Sequence, residues 1–206
     1  SRFTSSKNGV KASVLSFVPL NDNCEISQLT LTNGSSEDKK LSVFSYVEWC
    51  LWNADDDMKN FQRNLSTGEV EVQDSTIYHK TEYRERRNHY AIYSVNTKID
   101  GFDTSRDAFL GAYRGADSPE AVENGKCTNS MASGWSPIAS HQINVDLAAG
   151  ETKTFIFVLG YIENPEDEKW ESYGVINKTR AKEMLAKYQT DAQVEEAFAA
   201  LQAYWK

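Results

Sequence analysis

Short runs of β-branched and aromatic residues, separated by turn-forming residues, extend over residues 1–163. Asn8-Gly9 is the strongest hairpin signal, because both residues tolerate the left-handed backbone of a two-residue turn. The longest apolar run, at residues 155–159, has the length of a strand and is too short to cross a membrane. About nine such strands joined by turns predict an all-β sandwich rather than a parallel sheet with crossover helices.

Two of the predicted strands carry specific expectations. Residues 41–49 are apolar on both alternating faces, which predicts a strand buried on both sides. Residues 109–113 form another short run that favours a strand. The other predicted strands lie around Phe3 and at residues 10–17, 24–32, 69–72, 75–79, 90–95, 143–147 and 152–161.

The periodicity of the sequence changes after Pro165. Apolar residues now recur at helical spacing, which predicts two amphipathic helices. Thr190 and Gln193 have the spacing of a capping box at the start of the second helix. Both apolar stripes need a partner surface, so the helices either fold back on the sandwich or dock onto a domain outside this sequence. The stripes consist of Ala181, Met184, Leu185 and Tyr188, and of Val194, Ala197, Phe198, Leu201 and Trp205.

Charge and cysteine spacing exclude several classes of protein. The chain has 22 Lys and Arg against 30 Asp and Glu, and its net charge of −8 repels nucleic acids and anionic membranes. Cys24, Cys50 and Cys127 have neither zinc-site nor disulfide-framework spacing. We therefore expect reduced thiols in a cytoplasmic protein that binds neither nucleic acid nor a membrane.

The charged and histidine residues single out no catalytic or metal site. The acidic run at residues 55–57 lacks the alternation and the glycine of a calcium loop, so we interpret it as a solvated loop. His79, His89 and His141 lack zinc spacing, and we expect surface or hydrogen-bonded side chains. The basic cluster at residues 84–87 is interpreted as a salt-bridge network, with a sugar or carboxylate clamp as the alternative. No pair of catalytic carboxylates can be located.

The segment Phe61-Gln62-Arg63-Asn64 has the composition of a sugar-facing loop. Its amides and guanidinium supply hydrogen-bond donors and acceptors, and the nearby Trp49 and Trp52 supply flat apolar faces. A plain turn before the strand at residues 69–72 would explain the same residues. Composition alone therefore leaves both interpretations open.

Several long strings of this sequence resemble the cellobiose phosphorylase family. They are FSYVEWCLWNA at residues 44–54, NFQRN at 60–64, YHKTEYRERRN at 78–88, GWSPI at 134–138 and ENPEDEKW at 163–170. The similarity extends over nearly the whole chain. Members of this family are inverting glycoside phosphorylases, which also include cellodextrin and chitobiose phosphorylases.

The resemblance implies a fold and a reaction. Residues 1–163 would be the later part of a mainly β, galactose-mutarotase-like antiparallel β-supersandwich. Residues 164–206 would be two linker helices that lead to an (α/α)6 catalytic barrel outside this sequence. The parent enzyme, a homodimer, would cleave cellobiose with inorganic phosphate to α-glucose 1-phosphate and glucose, with inversion. Phosphate would be a co-substrate, and no cofactor or metal is implied.

The resemblance also assigns roles to residues. Phosphate replaces the water and general base of inverting hydrolases, so the family needs one catalytic acid, an aspartate of the barrel. No catalytic residue is therefore expected here, and the chain alone should be inactive. Gln62 and Arg63 match family residues that contact the acceptor sugar, a role that suits the two-pronged guanidinium of arginine.

Two alternatives stay open. The first is a free-standing carbohydrate-binding module, which predicts a sheet face lined with exposed aromatic rings such as Trp49, Trp52 and Trp135. The second is a purely structural or dimerising domain.

Overall fold

Antiparallel strands dominate the first three quarters of the chain, as the sequence predicts. The structure, a computed structural model, describes residues 1–49, 68–80, 88–134 and 137–206. The strands of this part are β1 (Arg2–Lys7), β2 (Val10–Phe17), β3 (Cys24–Asn33), β4 (Lys39–Phe44), β5 (Val47–Glu48), β6 (Gly68–Gln73), β7 (Thr76–His79), β8 (His89–Val95), β9 (Gly101–Ser105), β10 (Ser133–Gly134), β11 (Pro137–Leu147) and β12 (Thr152–Glu163).

These strands form two sheets that pack face to face. The long sheet has eight strands in the order β1-β2-β3-β12-β8-β7-β6-β10. The second sheet has the order β4-β11-β5, with β9 also paired to β11. The antiparallel supersandwich predicted from the resemblance is confirmed, and the described part of the chain contains no helix long and apolar enough to span a bilayer.

Local turn chemistry fixes the hairpins. Asn8 and Gly9 have φ values of 53° and 80°, and Lys7 pairs with Val10, which confirms the predicted hairpin. The sequence also predicts a turn at Gln73-Asp74, between the strands at residues 69–72 and 75–79, and the structure places this turn one residue later. Gln73 still pairs with Thr76, so the two turn residues are Asp74 and Ser75.

Two predictions about strands are wrong. Residues 109–113 do not form a strand, because helix α1 (Arg106–Leu110) turns Phe109 and Leu110 into a small core. Residues 41–49 form two strands, β4 and β5, that are only partly buried. The break falls at Ser45, where the side-chain oxygen accepts the backbone N–H of His141 at 3.0 Å in place of the regular ladder.

The remaining helices and strands cover the C-terminal part of the chain. A short helix, α2 (Glu120–Glu123), follows α1, and a small hairpin consists of β13 (Trp170–Ser172) and β14 (Val175–Ile176). The predicted helices are α3 (Thr179–Leu185) and α4 (Asp191–Tyr204). The capping box is confirmed, since the hydroxyl oxygen of Thr190 accepts the Gln193 N–H at 3.3 Å and the Gln193 side chain accepts the Thr190 N–H at 3.0 Å.

The long sheet has two covered faces, each with its own core. The inner core lies between the two sheets and includes Ile77, Tyr93 and Phe157. The outer core lies between the long sheet and the helices, and Val194 of α4 is fully buried in it. The helices therefore fold back on the sandwich, while Trp205, the last residue of the second predicted stripe, is 78% exposed. The domain boundary at residues 163 and 164 stays a prediction.

Candidate functional site

One end of the sandwich, here called the loop end, collects the residues that flank the three undescribed segments. Glu48 pairs with Ile138, and Gly68 pairs with Gly134. The backbone N–H of Lys80 donates to the carbonyl of Glu69 at 3.0 Å. The residues before and after positions 50–67, 81–87 and 135–136 therefore lie close together.

Both sugar-binding residues predicted from the resemblance belong to this region of the chain. Gln62 and Arg63 lie outside the described residues, as do the acidic run at 55–57, the basic cluster at 84–87, Cys50, Trp52 and Trp135. The site can be built from its described surroundings, which are the strand ends that carry these segments.

Trp49, the last described residue before position 50, is anchored in the inner core. Its ring lies 5.3 Å from the ring of His79, centroid to centroid. Burial lowers the pKa of His79 to about 3, so the imidazole is neutral at physiological pH. This stacking fixes the strand end, and it removes Trp49 from the candidates for a free sugar-stacking platform.

Exposed aromatic rings do not line one sheet face in the described part of the chain. They are spread over β1, β13, two loops and the end of α4, at Phe3, Tyr113, Trp170, Tyr173, Tyr204 and Trp205. The continuous aromatic face that a carbohydrate-binding module would present is therefore not found among these residues.

A buried ionic cluster holds β6, the first strand after the predicted sugar-facing segment. Glu71 of β6 accepts a hydrogen bond from the Lys80 ammonium at 3.0 Å, and the Lys178 ammonium binds its other oxygen. Lys80 and Lys178 are only 8% and 3% exposed, and Glu71 is the carboxylate that they share. Two more exposed carboxylates lie nearby, Glu69 at 3.5 Å from Lys80 and Glu171 at 3.9 Å from Lys178. Burial raises the pKa of Glu71, but hydrogen bonds from Lys178, the Ile176 backbone and Lys80 outweigh it and leave the pKa below its usual value.

Aromatic rings complete this cluster. The Lys178 ammonium lies 5.3 Å from the centroid of the Tyr78 ring, and the ammonium of buried Lys169 lies 4.7 Å from that of Trp170. Lys80 also donates to the carbonyl of Gly174 in the β13–β14 hairpin. The C-terminal hairpin is thereby attached to β6 and β7 at the loop end.

Sequence reasoning missed this cluster because its members are far apart in the chain. Glu71 and Lys80 approach each other only through the β6–β7 pairing, and Lys178 comes from the segment before α3. No local spacing signals such a contact.

The three histidines and the two described cysteines are buried in the fold. His79 lies on β7 and His89 on the neighbouring strand β8, and all three histidines are buried, so the surface alternative is wrong. His141 Nδ1 lies 3.0 Å from the Ser45 hydroxyl, and burial lowers the pKa of His141 to about 3. Cys24 and Cys127 are buried free thiols, and burial raises the pKa of each to about 12.

Carboxylates and possible metal ligands do not assemble into a second site in the described part. Among these residues no group of three or more His, Cys, Asp or Glu could hold a metal ion. Asp103 is fully buried, but its carboxylate accepts hydrogen bonds from the backbone N–H and hydroxyl groups of Thr128 and Ser130. Asp103 therefore organises the loop before β10 and is not a free acid.

Comparison with known proteins agrees with the fold. The model of the glycosyl hydrolase 94 supersandwich domain matches residues 1–191. The chain is 29% identical over 206 residues to an N,N'-diacetylchitobiose phosphorylase of Vibrio proteolyticus, covering 100% of this chain and 24% of that protein. A similar enzyme of Vibrio furnissii is 28% identical over 207 residues, with the same coverage.

A third relative is named for a different disaccharide. A solabiose phosphorylase of Paenibacillus borealis is 26% identical over 209 residues, covering 98% of this chain and 25% of that protein. The chain thus spans about a quarter of the length of each of these relatives. Through its supersandwich domain, the chain belongs to glycosyl hydrolase family 94.

Proposed function

We propose that this chain is the supersandwich part of an inverting glycoside phosphorylase. The observation that carries the proposal is the family match over residues 1–191, together with similarity along the chain to proteins named as phosphorylases. The parent enzyme would transfer a glycosyl unit from a disaccharide to inorganic phosphate and release the second sugar. Phosphate would act as the nucleophile, so a single protein acid would protonate the glycosidic oxygen.

The role proposed for this chain is to bind the acceptor sugar. Gln62 and Arg63 would hydrogen-bond to its hydroxyls, and the catalytic acid would come from a barrel outside the chain. The described surroundings suit this role. The contact between the rings of Trp49 and His79 holds the chain just before position 50. The ion pairs of Glu71 with Lys80 and Lys178 hold strand β6, which begins just after position 67. A binding group works best when its supports are rigid.

The proposed substrate is cellobiose, and the proposed assembly is a homodimer. The relatives are named for diacetylchitobiose and solabiose, so the three disaccharides should be compared directly. We expect phosphate-dependent release of glucose from cellobiose by the parent enzyme and no turnover by residues 1–206 alone. Turnover by these residues alone would contradict the placement of the catalytic acid, and a preference for another disaccharide would replace cellobiose in the proposal.

Replacement of the predicted guanidinium tests the acceptor role. In the parent enzyme, Arg63→Ala should raise the KM for glucose in the synthetic direction by about tenfold or more, because a charged donor to a hydroxyl is lost. The matched control is Arg2→Ala on the exposed strand β1, which should leave that KM unchanged. An unchanged acceptor KM in Arg63→Ala would refute the assignment.

A further inference from the structure

A surface cleft lies at the end of β6 that is opposite to the loop end. Its volume is about 780 Å³, within the range of about 300–1,000 Å³ that is common for small-molecule sites. The β6–β7 turn and the connection between β8 and β9 form its walls. We call it the turn cleft. Its lining includes Ser75, Lys98, Ile99, Asp100, Phe102 and Asn129.

Three polar side chains of the turn cleft are held in place by the backbone. The Ser75 hydroxyl oxygen accepts the N–H of Ile99 at 3.2 Å, and Asn129 Oδ1 accepts the N–H of Phe102 at 3.0 Å. Asp100 Oδ2 accepts the backbone N–H of Asn144 in β11 at 2.6 Å. Each group keeps further hydrogen-bonding capacity, namely the Ser75 O–H, the Asn129 amide N–H groups and Asp100 Oδ1. Such groups can bind a ligand with little additional ordering.

The backbone around the turn cleft includes three non-glycine residues with positive φ. Asp74, Ser75 and Asn129 have φ values of 52°, 67° and 57°. They are half of the six non-glycine residues with positive φ in the described part of the chain, and all three line this one cleft. Positive φ is required at both residues of the two-residue turn, Asp74 and Ser75, so Asn129 is the one of the three that lies outside a hairpin turn. Gly101 adds a close approach, since a Cβ there would lie 2.8 Å from Gln142 Oε1.

The chemistry of the lining indicates the class of ligand. Asp74 and Asp100 outnumber Lys98, so the cleft disfavours an anion such as a sugar phosphate. Ile99 and Phe102 contribute an apolar wall next to the hydroxyl, amide and carboxylate groups. A neutral sugar ring matches this lining, because it has a rim of hydroxyls and an apolar C–H face. We propose that the turn cleft binds a neutral mono- or disaccharide, separately from the contacts proposed for Gln62 and Arg63.

Titration of the 206-residue protein with cellobiose, followed by NMR, tests this site. Saturable shifts are expected for the backbone amides of Ser75, Phe102 and Asn129. Asn129→Asp keeps the oxygen that accepts the Phe102 N–H but removes the free amide donor, so binding should weaken about tenfold. Asn8→Asp is the matched control, since Asn8 has a φ of 53° in the distant β1–β2 turn and should bind cellobiose like the unchanged protein.

Two further arms separate this proposal from the proposed function. The double variant Gln62→Ala and Arg63→Ala should bind cellobiose at the turn cleft unchanged. Loss of the shifts in that double variant, or equal binding by Asn129→Asp, would overturn the proposal without affecting the acceptor role. Glucose 1-phosphate should bind more weakly than glucose, and equal or tighter binding would overturn the assignment of a neutral ligand. The absence of saturable shifts with cellobiose would also overturn it.

Discussion

The two faces of the long sheet are covered by different structures. On the inner face the second sheet encloses an apolar core, and the buried imidazole beside it, His141, is held neutral. On the outer face α3 and α4 pack on another apolar core, which ends at the charged cluster of Glu71, Lys80 and Lys178. The outer face accommodates buried charge because the C-terminal hairpin supplies aromatic rings and carbonyl groups around it.

Strand β7 shows the same difference residue by residue. Ile77 belongs to the inner core, and Tyr78, its neighbour, belongs to the outer core and lies under Lys178. The central strands β8 and β12 lie under both covers and are largely apolar on both faces, whereas all six residues of β1 are exposed. Coverage, and not strand propensity alone, therefore decides where polar residues are tolerated.

Removal of the charge of Glu71 should have the largest effect on the outer face. Glu71→Gln keeps the shape of the side chain but leaves Lys80 and Lys178 without their shared counter-charge. The free energy of unfolding should fall by about 3–5 kcal/mol in urea denaturation. Glu69→Gln is the control, because its carboxylate also lies near Lys80, at 3.5 Å, but is 71% exposed. That control should lose less than about 1 kcal/mol, and equal losses would show that burial of the cluster is unimportant.

A matched pair of isoleucines compares the stability of the inner core with that of the outer core. Ile77 in the inner core and Ile92 in the outer core are both 0% exposed. Ile77→Ala and Ile92→Ala should each lower the free energy of unfolding by about 2–5 kcal/mol, through lost burial and the cavity left behind. A much smaller loss for Ile92→Ala than for Ile77→Ala would mean that the helices contribute little to global stability.

Acid should weaken the inner face through His141. Its pKa is about 3 in the folded protein because of burial, and about 6.5 when unfolded, so the unfolded chain binds more protons between these values. Stability therefore falls as pH is lowered from 6.5 towards 3, by about 1.5 kcal/mol between pH 6.5 and 5 for one such histidine. His141→Gln should make this pH profile of urea unfolding about half as steep, because burial also lowers the pKa of His79 to about 3. An unchanged slope would show that His141 does not titrate in this pH range. The contribution of Glu71 to stability is lost only at lower pH, because its pKa lies below its usual value.

Local signals predicted the parts of the fold that depend on adjacent residues. The Asn8-Gly9 hairpin and the Thr190 capping box require only neighbouring residues, and both are present. The short run at 109–113 was misread because four or five apolar residues suit a strand or a helix equally well. Phe109 is buried from a helix that ends at Gly111, where φ is 88°.

The site was less predictable because it depends on distant pairings. The contact between Glu71 and Lys178 joins strand β6 to the start of α3, and no sequence spacing reports it. The turn cleft likewise combines Ser75 with Asn129 only after the sheets have formed. Gln62 and Arg63 were assigned through the resemblance rather than from local physics, and their roles stay predictions.

Loss of the cap at the start of α4 should have the smallest effect on stability. It tests how firmly the helices on the outer face are held at their edge. Thr190→Ala removes the acceptor for the Gln193 N–H, which should cost about 1 kcal/mol and lower the melting temperature by about 2–4 °C. Thr179→Ala is the control, since Thr179 is exposed at the start of α3 and makes no capping bond there. Its effect should be close to zero, because alanine favours a helix at least as well as threonine. If both variants melt at the same temperature, the start of α4 frays independently of the rest of the protein. The helices on the outer face would then unfold less cooperatively with the long sheet than the second sheet on the inner face does.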